Sequence, residues 1–304
     1  VLVFGRLLRL SLLPSALADI LVGAVVGAGG QWPDAGAMGW LLLSSLGVYH
    51  GALALNDWAD RAEDSKARPE RPLPSGAVAP GIALAIGAIL VLGGVLAALA
   101  VGYRAAVWMG VVAALAVAYD LFGRGPLLGP ALLGACRFGN LGAGLMLFSW
   151  TSGAEVGLST LAPAFLYGAY VFVVSRLGRL EDLEDQRPLG QRPGRFLLGA
   201  AGLLAAVPLL GLALAGATIW GAVLSVLLAG GAAWGLVGAA RREEPWTRGA
   251  VGASMGLALR RLLAFTAACA LLLVEVGPAP RVVAAAALLG YPLSFALRRV
   301  FPPS

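Results

Sequence analysis

The chain has 304 residues, 59% of them hydrophobic and only 12% charged, with a formal net charge of +6. An ordinary soluble domain carries about 25% charged residues, so this composition excludes a water-soluble globular fold and points to a membrane protein. One histidine and two cysteines exclude a zinc or haem site built on imidazoles, and the basic excess fits positive residues gathered on one membrane face without invoking nucleic acid.

A membrane-crossing helix needs about 20 mostly apolar residues. Ten such runs are predicted: Leu10–Gly29, Met38–Leu55, Val78–Val101, Ala105–Leu121, Leu127–Ser149, Leu158–Val174, Phe196–Ala215, Ile219–Ala239, Leu257–Val274 and Val282–Leu297. Their apolar character is continuous and does not alternate, which argues against a β-barrel. Arg6 and Arg9 precede the first run, and Ala16-Leu17-Ala18 within it imitates a signal-peptidase site. The apolar stretch before that site is short for a signal peptide, and the run continues to Ala28 with only Asp19 interrupting it, so it reads as a transmembrane helix. The ninth run has Arg260 and Arg261 near its start and Glu275 at its end; it reads as a span or as an interfacial helix leading into a short span. Cys136 and Cys269 lie inside apolar runs and read as small hydrophobes. The run Ala229-Gly230-Gly231 reads as close helix packing.

With the N-terminus on the cytoplasmic side, all but Arg104, Arg281 and the intramembrane Arg137 of the 22 basic residues fall on the inner face. All but Asp19, Asp34, Glu155 and Glu275 of the 16 acidic residues fall there too, so any chemistry belongs to that face. Trp32, Trp40, Trp150 and Trp220 lie near the outer ends, as an interfacial belt would place them. The expectation is an all-α, polytopic transmembrane bundle with both termini and the active site cytoplasmic, in a bacterial inner membrane.

The second run ends in Leu55-Asn56-Asp57-Trp58-Ala59-Asp60-Arg61-Ala62-Glu63-Asp64. On a continuing helix Asn56, Asp60 and Asp64 fall four apart and share one face. Clustered carboxylates repel unless a cation sits among them, and hard oxygen ligands suit Mg²⁺. Asp57 beside them is a candidate catalytic group. There follows Lys66-Ala67-Arg68-Pro69-Glu70-Arg71-Pro72-Leu73-Pro74-Ser75-Gly76. Its prolines are expected to hold Arg68 and Arg71 on a stiff, extended loop suited, with Lys66, to a phosphate. A second acidic cluster ends the sixth run, Arg179-Leu180-Glu181-Asp182-Leu183-Glu184-Asp185-Gln186-Arg187-Pro188, four spans later on the same face. That recurrence suggests one domain over 1–304 with two similar four-helix halves and C-terminal spans.

The run Asn-Asp-x-x-Asp-x-x-x-Asp followed by Arg-Pro-x-Arg-Pro-Leu-Pro-Ser-Gly, from Asn56 to Gly76, resembles the first signature of the UbiA superfamily of intramembrane prenyltransferases. Arg9 with Pro14, and Tyr119 with Arg124, agree as flanks. The resemblance covers residues 5 to 240 and implies a bundle, usually of nine spans, around a central cavity. It implies Mg²⁺ bridging two acidic motifs to a prenyl diphosphate, with Asn56, Asp60 and Asp64 as ligands from the first. Arg68 and Arg71 would hold the diphosphate, together with Lys66 and Arg124. The second motif departs from the family's pattern. Asp182 can take its middle position while Arg179 and Gln186 replace the outer acids, or Glu181 and Asp185 supply the pair, as in a divergent branch of the EboC type.

Asp182, Tyr119 and Asp120 are the remaining candidate catalytic residues, with Asp120 or a second-cluster acid as the base that takes the surplus proton. Arg137 and Asn140, one turn apart within the fifth span, are candidate diphosphate contacts. Asp19 is a candidate partner of Arg137, and His50 reads as packing. The function implied is Mg²⁺-dependent transfer of a prenyl group to a lipophilic, aromatic acceptor. The competing reading is a transporter or lipid-handling protein of the same fold.

Overall fold

The computed structural model describes residues 2–123, 125–155, 157–180, 189–242 and 246–301. Among them, ten helices are long and apolar enough to cross a membrane. We number them α1 (Leu13–Gly27), α2 (Ala35–Ala59), α3 (Pro80–Ala98), α4 (Tyr103–Phe122), α5 (Leu128–Ser152), α6 (Ala162–Gly178), α7 (Arg192–Ala205), α8 (Ile219–Arg242), α9 (Arg248–Leu271) and α10 (Pro278–Val300). Short helical turns extend three of the spans, at Leu10–Leu12 before α1, Leu158–Leu161 before α6 and Val207–Leu212 after α7. The chain is thus an all-α, multi-pass integral membrane protein. Its outward faces are apolar, as lipid contact requires: Ile89, Leu212, Leu227 and Leu289 all project outward.

Helix boundaries follow local chemistry. Asp34 caps α2 by accepting from the Ala37 amide, and Thr247 caps α9 by accepting from the Ala250 amide. Proline opens α3, α6, α7 and α10, where its missing N–H has no intrahelical partner to lose. The ninth run is one continuous helix, α9, beginning nine residues before its apolar stretch at the capping Thr247. An interfacial segment plus a short span is therefore not what the chain forms.

The helices form a ring that passes from α2 through α3, α4, α5, α6, α7, α8 and α9, then through α1 back to α2. α1 also packs along α5, which divides the interior into two apolar clusters, while α10 lies outside on α1 and α9. Glycine makes two of these seams possible. A Cβ at Gly144 would stand 2.8 Å from the Ile20 carbonyl, and one at Gly94 would stand 2.7 Å from the Ser44 carbonyl. Gly230 and Gly231, expected to serve close packing, face open space instead. Cys136 and Cys269 are both free, Cys269 buried and Cys136 half-buried.

Candidate active site

α2 ends at Ala59, and Asp60 joins it to a short helix, Arg61–Ala67. The Asp60 backbone (φ −86°, ψ 1°) leaves the helical path, which separates residues that an unbroken helix would keep on one face. Asn56 and Asp60 stay together: Asn56 Nδ2 donates to Asp60 Oδ2 at 3.0 Å. Asp64 turns elsewhere. Arg71 Nη1 donates to its Oδ2 at 2.5 Å, and Arg68 lies 3.6 Å from its Oδ1. Asp57, one place round the helix from Asn56, accepts from Arg9 at 2.5 Å and lies 3.8 Å from Arg71. The expected trio is therefore redistributed. Asp57 and Asp64 are both almost fully buried and share Arg71, because a buried carboxylate needs a cation beside it.

The loop after Arg68 is not extended. Successive backbone bonds, from Arg71 to Arg68, Ser75 to Arg71, Gly76 to Leu73 and Val78 to Pro72, fold it into compact turns. These turns bury Leu73 and draw Arg71 inward to 7% exposure. Lys66 and Arg68 remain on the open side, with 42% of the Arg68 side chain exposed.

α4 brings Tyr119 and Asp120 to the same place. Asp120 sits beside Asn56, with Asp60, Arg9 and Asp57 around it. Its Oδ2 is buried without a hydrogen-bond partner, as is Oδ2 of Asp57. Tyr119 is surrounded by Arg179, Asp60, Asp120 and Arg9. Arg179, just past the end of α6, lies 6.0 Å over the Tyr119 ring and donates to the Gly123 carbonyl at 2.5 Å. The foot of α6 is thereby docked on the foot of α4, next to Asp60. Arg124, Glu181, Asp182 and Asp185 lie outside the described residues.

Arg9 is a site residue that sequence reasoning used only as a flank. Its φ of +46° is the left-handed region, which costs a non-glycine residue about 1–3 kcal/mol. The strained turn between the helix Leu2–Leu7 and the turn Leu10–Leu12 aims its guanidinium at Asp57. No spacing signal in the sequence marks such a backbone conformation.

Beside Arg179 opens a cleft of about 640 Å³, lined by Gly125, Pro126, Arg176, Leu180, Arg192, Arg195 and Phe196. It is strongly basic, and Arg176 closes one wall by donating to the Pro126 carbonyl at 2.5 Å.

Arg137 and Asn140 do not join this group. They belong to a closed polar network deeper in the bundle, centred on Asp19. Arg137 Nη1 donates to Asp19 Oδ2 at 2.9 Å, Asn140 Nδ2 donates to the same oxygen at 2.9 Å, and Tyr167 donates to Oδ1 at 2.6 Å. Arg137 Nη2 donates to Tyr49 at 2.8 Å and to Ser15 at 3.2 Å, and Ser45 donates to Asn140 Oδ1 at 2.7 Å. Their donors are committed to neighbouring helices, which corrects the expectation of a diphosphate contact. The Asp19–Arg137 pairing itself is as expected. His50 is buried, with Nδ1 2.7 Å from the Leu8 carbonyl, which fits its reading as packing.

Among the described residues, no three acidic, histidine or cysteine side chains close on one point as a metal cage. Mg²⁺ does not need such a cage; it commonly takes one or two carboxylates and completes its shell with water and phosphate oxygens. Asn56 and Asp60 fit that role. Around them Asp57 and Asp120 each keep an unpartnered buried oxygen. Those unpartnered oxygens are acceptors that suit a bound cation, next to the arginines Arg9 and Arg71 that already pair with Asp57.

Solved structures share this architecture. A UbiA homologue from Aeropyrum pernix K1 superposes with a TM-score of 0.61 at 20% identity, over 84% of this chain and 96% of that one. A digeranylgeranylglyceryl phosphate synthase gives 0.59 at 18% identity, over 88% and 97%. A UbiA homologue from Archaeoglobus fulgidus, solved with GPP and Mg²⁺, gives 0.52 at 18% identity, over 97% and 99%. In sequence, the bacteriochlorophyll synthase 33 kDa chain of Cereibacter sphaeroides is 30% identical over 186 residues, 56% of this chain and 57% of that relative's length. Residues 16–254 match the UbiA prenyltransferase family, and the chain belongs to it.

Proposed function

We propose that this protein transfers a prenyl group from a prenyl diphosphate to a lipophilic acceptor within the membrane, in a Mg²⁺-dependent reaction. The observation that carries the reading is the meeting of Asn56 and Asp60 on α2 with Tyr119 and Asp120 on α4, beside Arg179 at the foot of α6. A family relative binds GPP and Mg²⁺, and the bacteriochlorophyll synthase relative supports a prenyl-transfer chemistry.

Asn56 and Asp60 would hold Mg²⁺, and the acids Glu181, Asp182 and Asp185 would supply further ligands. When bound, Mg²⁺ neutralises charge on the diphosphate leaving group. Lys66, Arg68 and Arg124 bind the diphosphate oxygens, since Lys66 and Arg68 stand on the open side of the loop. Arg71 acts from behind by fixing Asp57 and Asp64, and Arg9 fixes Asp57 from the other side. Tyr119 orients the diphosphate at the foot of α4. The allylic C–O bond breaks with its electron pair leaving on the diphosphate. The acceptor's nucleophilic atom bonds to the resulting allylic cation, and Asp120 Oδ2, unpartnered and shielded from water, takes the surplus proton.

Incubation of the purified full chain with radiolabelled geranyl diphosphate, Mg²⁺ and a panel of aromatic and lipid acceptors tests the reading. Mg²⁺-dependent appearance of a prenylated product supports it. Absence of product together with absence of Mg²⁺-dependent diphosphate binding rejects the enzyme and leaves a transport or lipid-handling role.

A further inference from the structure

Two arginines lie within the apolar run of α9 and, among the described residues, no acid pairs with them. Arg260 and Arg261 lie three and four residues past Leu257, about 5–6 Å inside the inner-face end of the apolar run of α9. Neither α8, α9 nor α10 carries a single Asp or Glu. Nε of both arginines is buried without a hydrogen-bond partner, and among the described residues neither forms an ion pair. Charged side chains at such depth are costly and, when retained, generally meet a ligand or a counter-charge.

The Arg260 guanidinium is directed at α10, and that of Arg261 lies between α10 and α8. Arg260 stacks 5.0 Å from the Phe295 ring centre and Arg261 6.0 Å from that of Tyr291, while the two rings pack edge-on at 5.3 Å. Glycines leave the room: a Cβ at Gly235 would stand 2.8 Å from Arg261 Nη2, and one at Gly256 3.5 Å from Arg260 Nη1. Gly256 lies one turn before Arg260, so the Arg260 side chain runs back toward the start of α9, the face on which α10 ends. There Arg298, in the last turn of α10, comes within electrostatic reach of Arg260. Arg260 and Arg298 thus share the groove between α9 and α10 beside Phe295, with Arg261 next along α9 against the Tyr291 ring. The groove is on the outside of the bundle, because α10 packs on α1 and α9 and Phe295 is 43% exposed to the membrane.

We propose that Arg260, Arg261 and Arg298 bind the phosphate of an anionic phospholipid in the groove between α9 and α10, in the leaflet on the side of the acidic helix ends. An anionic phospholipid presents its phosphate near the inner-face end of a lipid-facing surface, within reach of these side chains, and the planar guanidinium fork matches phosphate oxygens. The site is separate from the diphosphate site, which α2, α4 and α6 build, and it does not depend on the prenyl-transfer reading.

The test uses the full chain in nanodiscs of phosphatidylcholine doped with phosphatidylglycerol. Lipid retained on the released protein is read by native mass spectrometry. The wild type is expected to retain phosphatidylglycerol in preference to phosphatidylcholine. Arg260→Gln and Arg298→Gln are each expected to weaken that retention about tenfold, the loss of a charge-assisted hydrogen bond. Arg281→Gln, at the opposite end of α10, is expected to leave it unchanged. Arg298 lies at a helix end, so its variant keeps the test open if Arg260→Gln fails to fold. Equal retention of both lipids by the wild type, unaltered retention in the Arg298 variant, or an equal loss in Arg281→Gln would each overturn the proposal.

Discussion

Arg137 and Asp19, 118 positions apart in the chain, form a 2.9 Å ion pair in the interior of the bundle. Asp19 is fully buried, and its two oxygens accept from Arg137, Asn140 and Tyr167. The pair and its hydrogen bonds tie α1 to α5 and α6, with Tyr49 and Ser45 adding α2. Removing one partner leaves the other charge stranded. Asp19→Ala is expected to lower stability by about 3–5 kcal/mol. The double variant Asp19→Ala/Arg137→Met should lose less than the sum of the two single losses, since it buries no orphaned charge. Unfolding in detergent micelles measures both; additive losses would show that the two residues do not act as a pair.

The same reasoning separates two arginines that sit three residues apart. Arg71 is enclosed between Asp57 and Asp64, whereas Arg68 has much of its side chain in the open. Arg71→Gln is expected to destabilise the protein by about 3–5 kcal/mol, leaving two buried carboxylates short of a cation. Arg68→Gln should change stability by no more than about 0.5 kcal/mol, while weakening diphosphate binding about tenfold. Thermal unfolding and geranyl diphosphate titration on both variants check the contrast.

Asp120 is expected to matter to turnover more than to binding. With its Oδ2 free of any partner, Asp120→Asn should reduce kcat by about 10²–10⁴-fold, the range for loss of a general base. The affinity for geranyl diphosphate should fall far less. A parallel collapse of binding and turnover would instead make Asp120 part of the diphosphate site.

Much of the fold is legible in the sequence because the membrane imposes one solution: apolar runs of sufficient length become helices, and ten do. The stretch Asn56–Gly76 points to the candidate site, since its residue types are costly at a membrane boundary unless used. What periodicity cannot convey is the break at Asp60, which sends Asp64 to Arg71 and leaves Asn56 with Asp60. The pairing of Asp19 with Arg137 is legible as two opposite charges inside spans, but spacing does not reveal that Asp19 also claims Asn140 and Tyr167, contacts that span more than a hundred residues. Arg9 escapes for a different reason, as its role follows from a left-handed backbone angle. The glycines are similarly ambiguous: Gly144 and Gly94 sit at helix seams, Gly230 and Gly231 at open surface, and composition alone treats them alike.

Titration calorimetry of geranyl diphosphate into the purified protein, with and without Mg²⁺, bears on the main proposal most directly. Binding by the wild type is expected to require Mg²⁺, and Asp60→Ala is expected to abolish it while unfolding at the wild-type temperature. Equal binding with and without Mg²⁺, or undiminished binding in Asp60→Ala, would contradict a metal-bridged diphosphate held at the foot of α2.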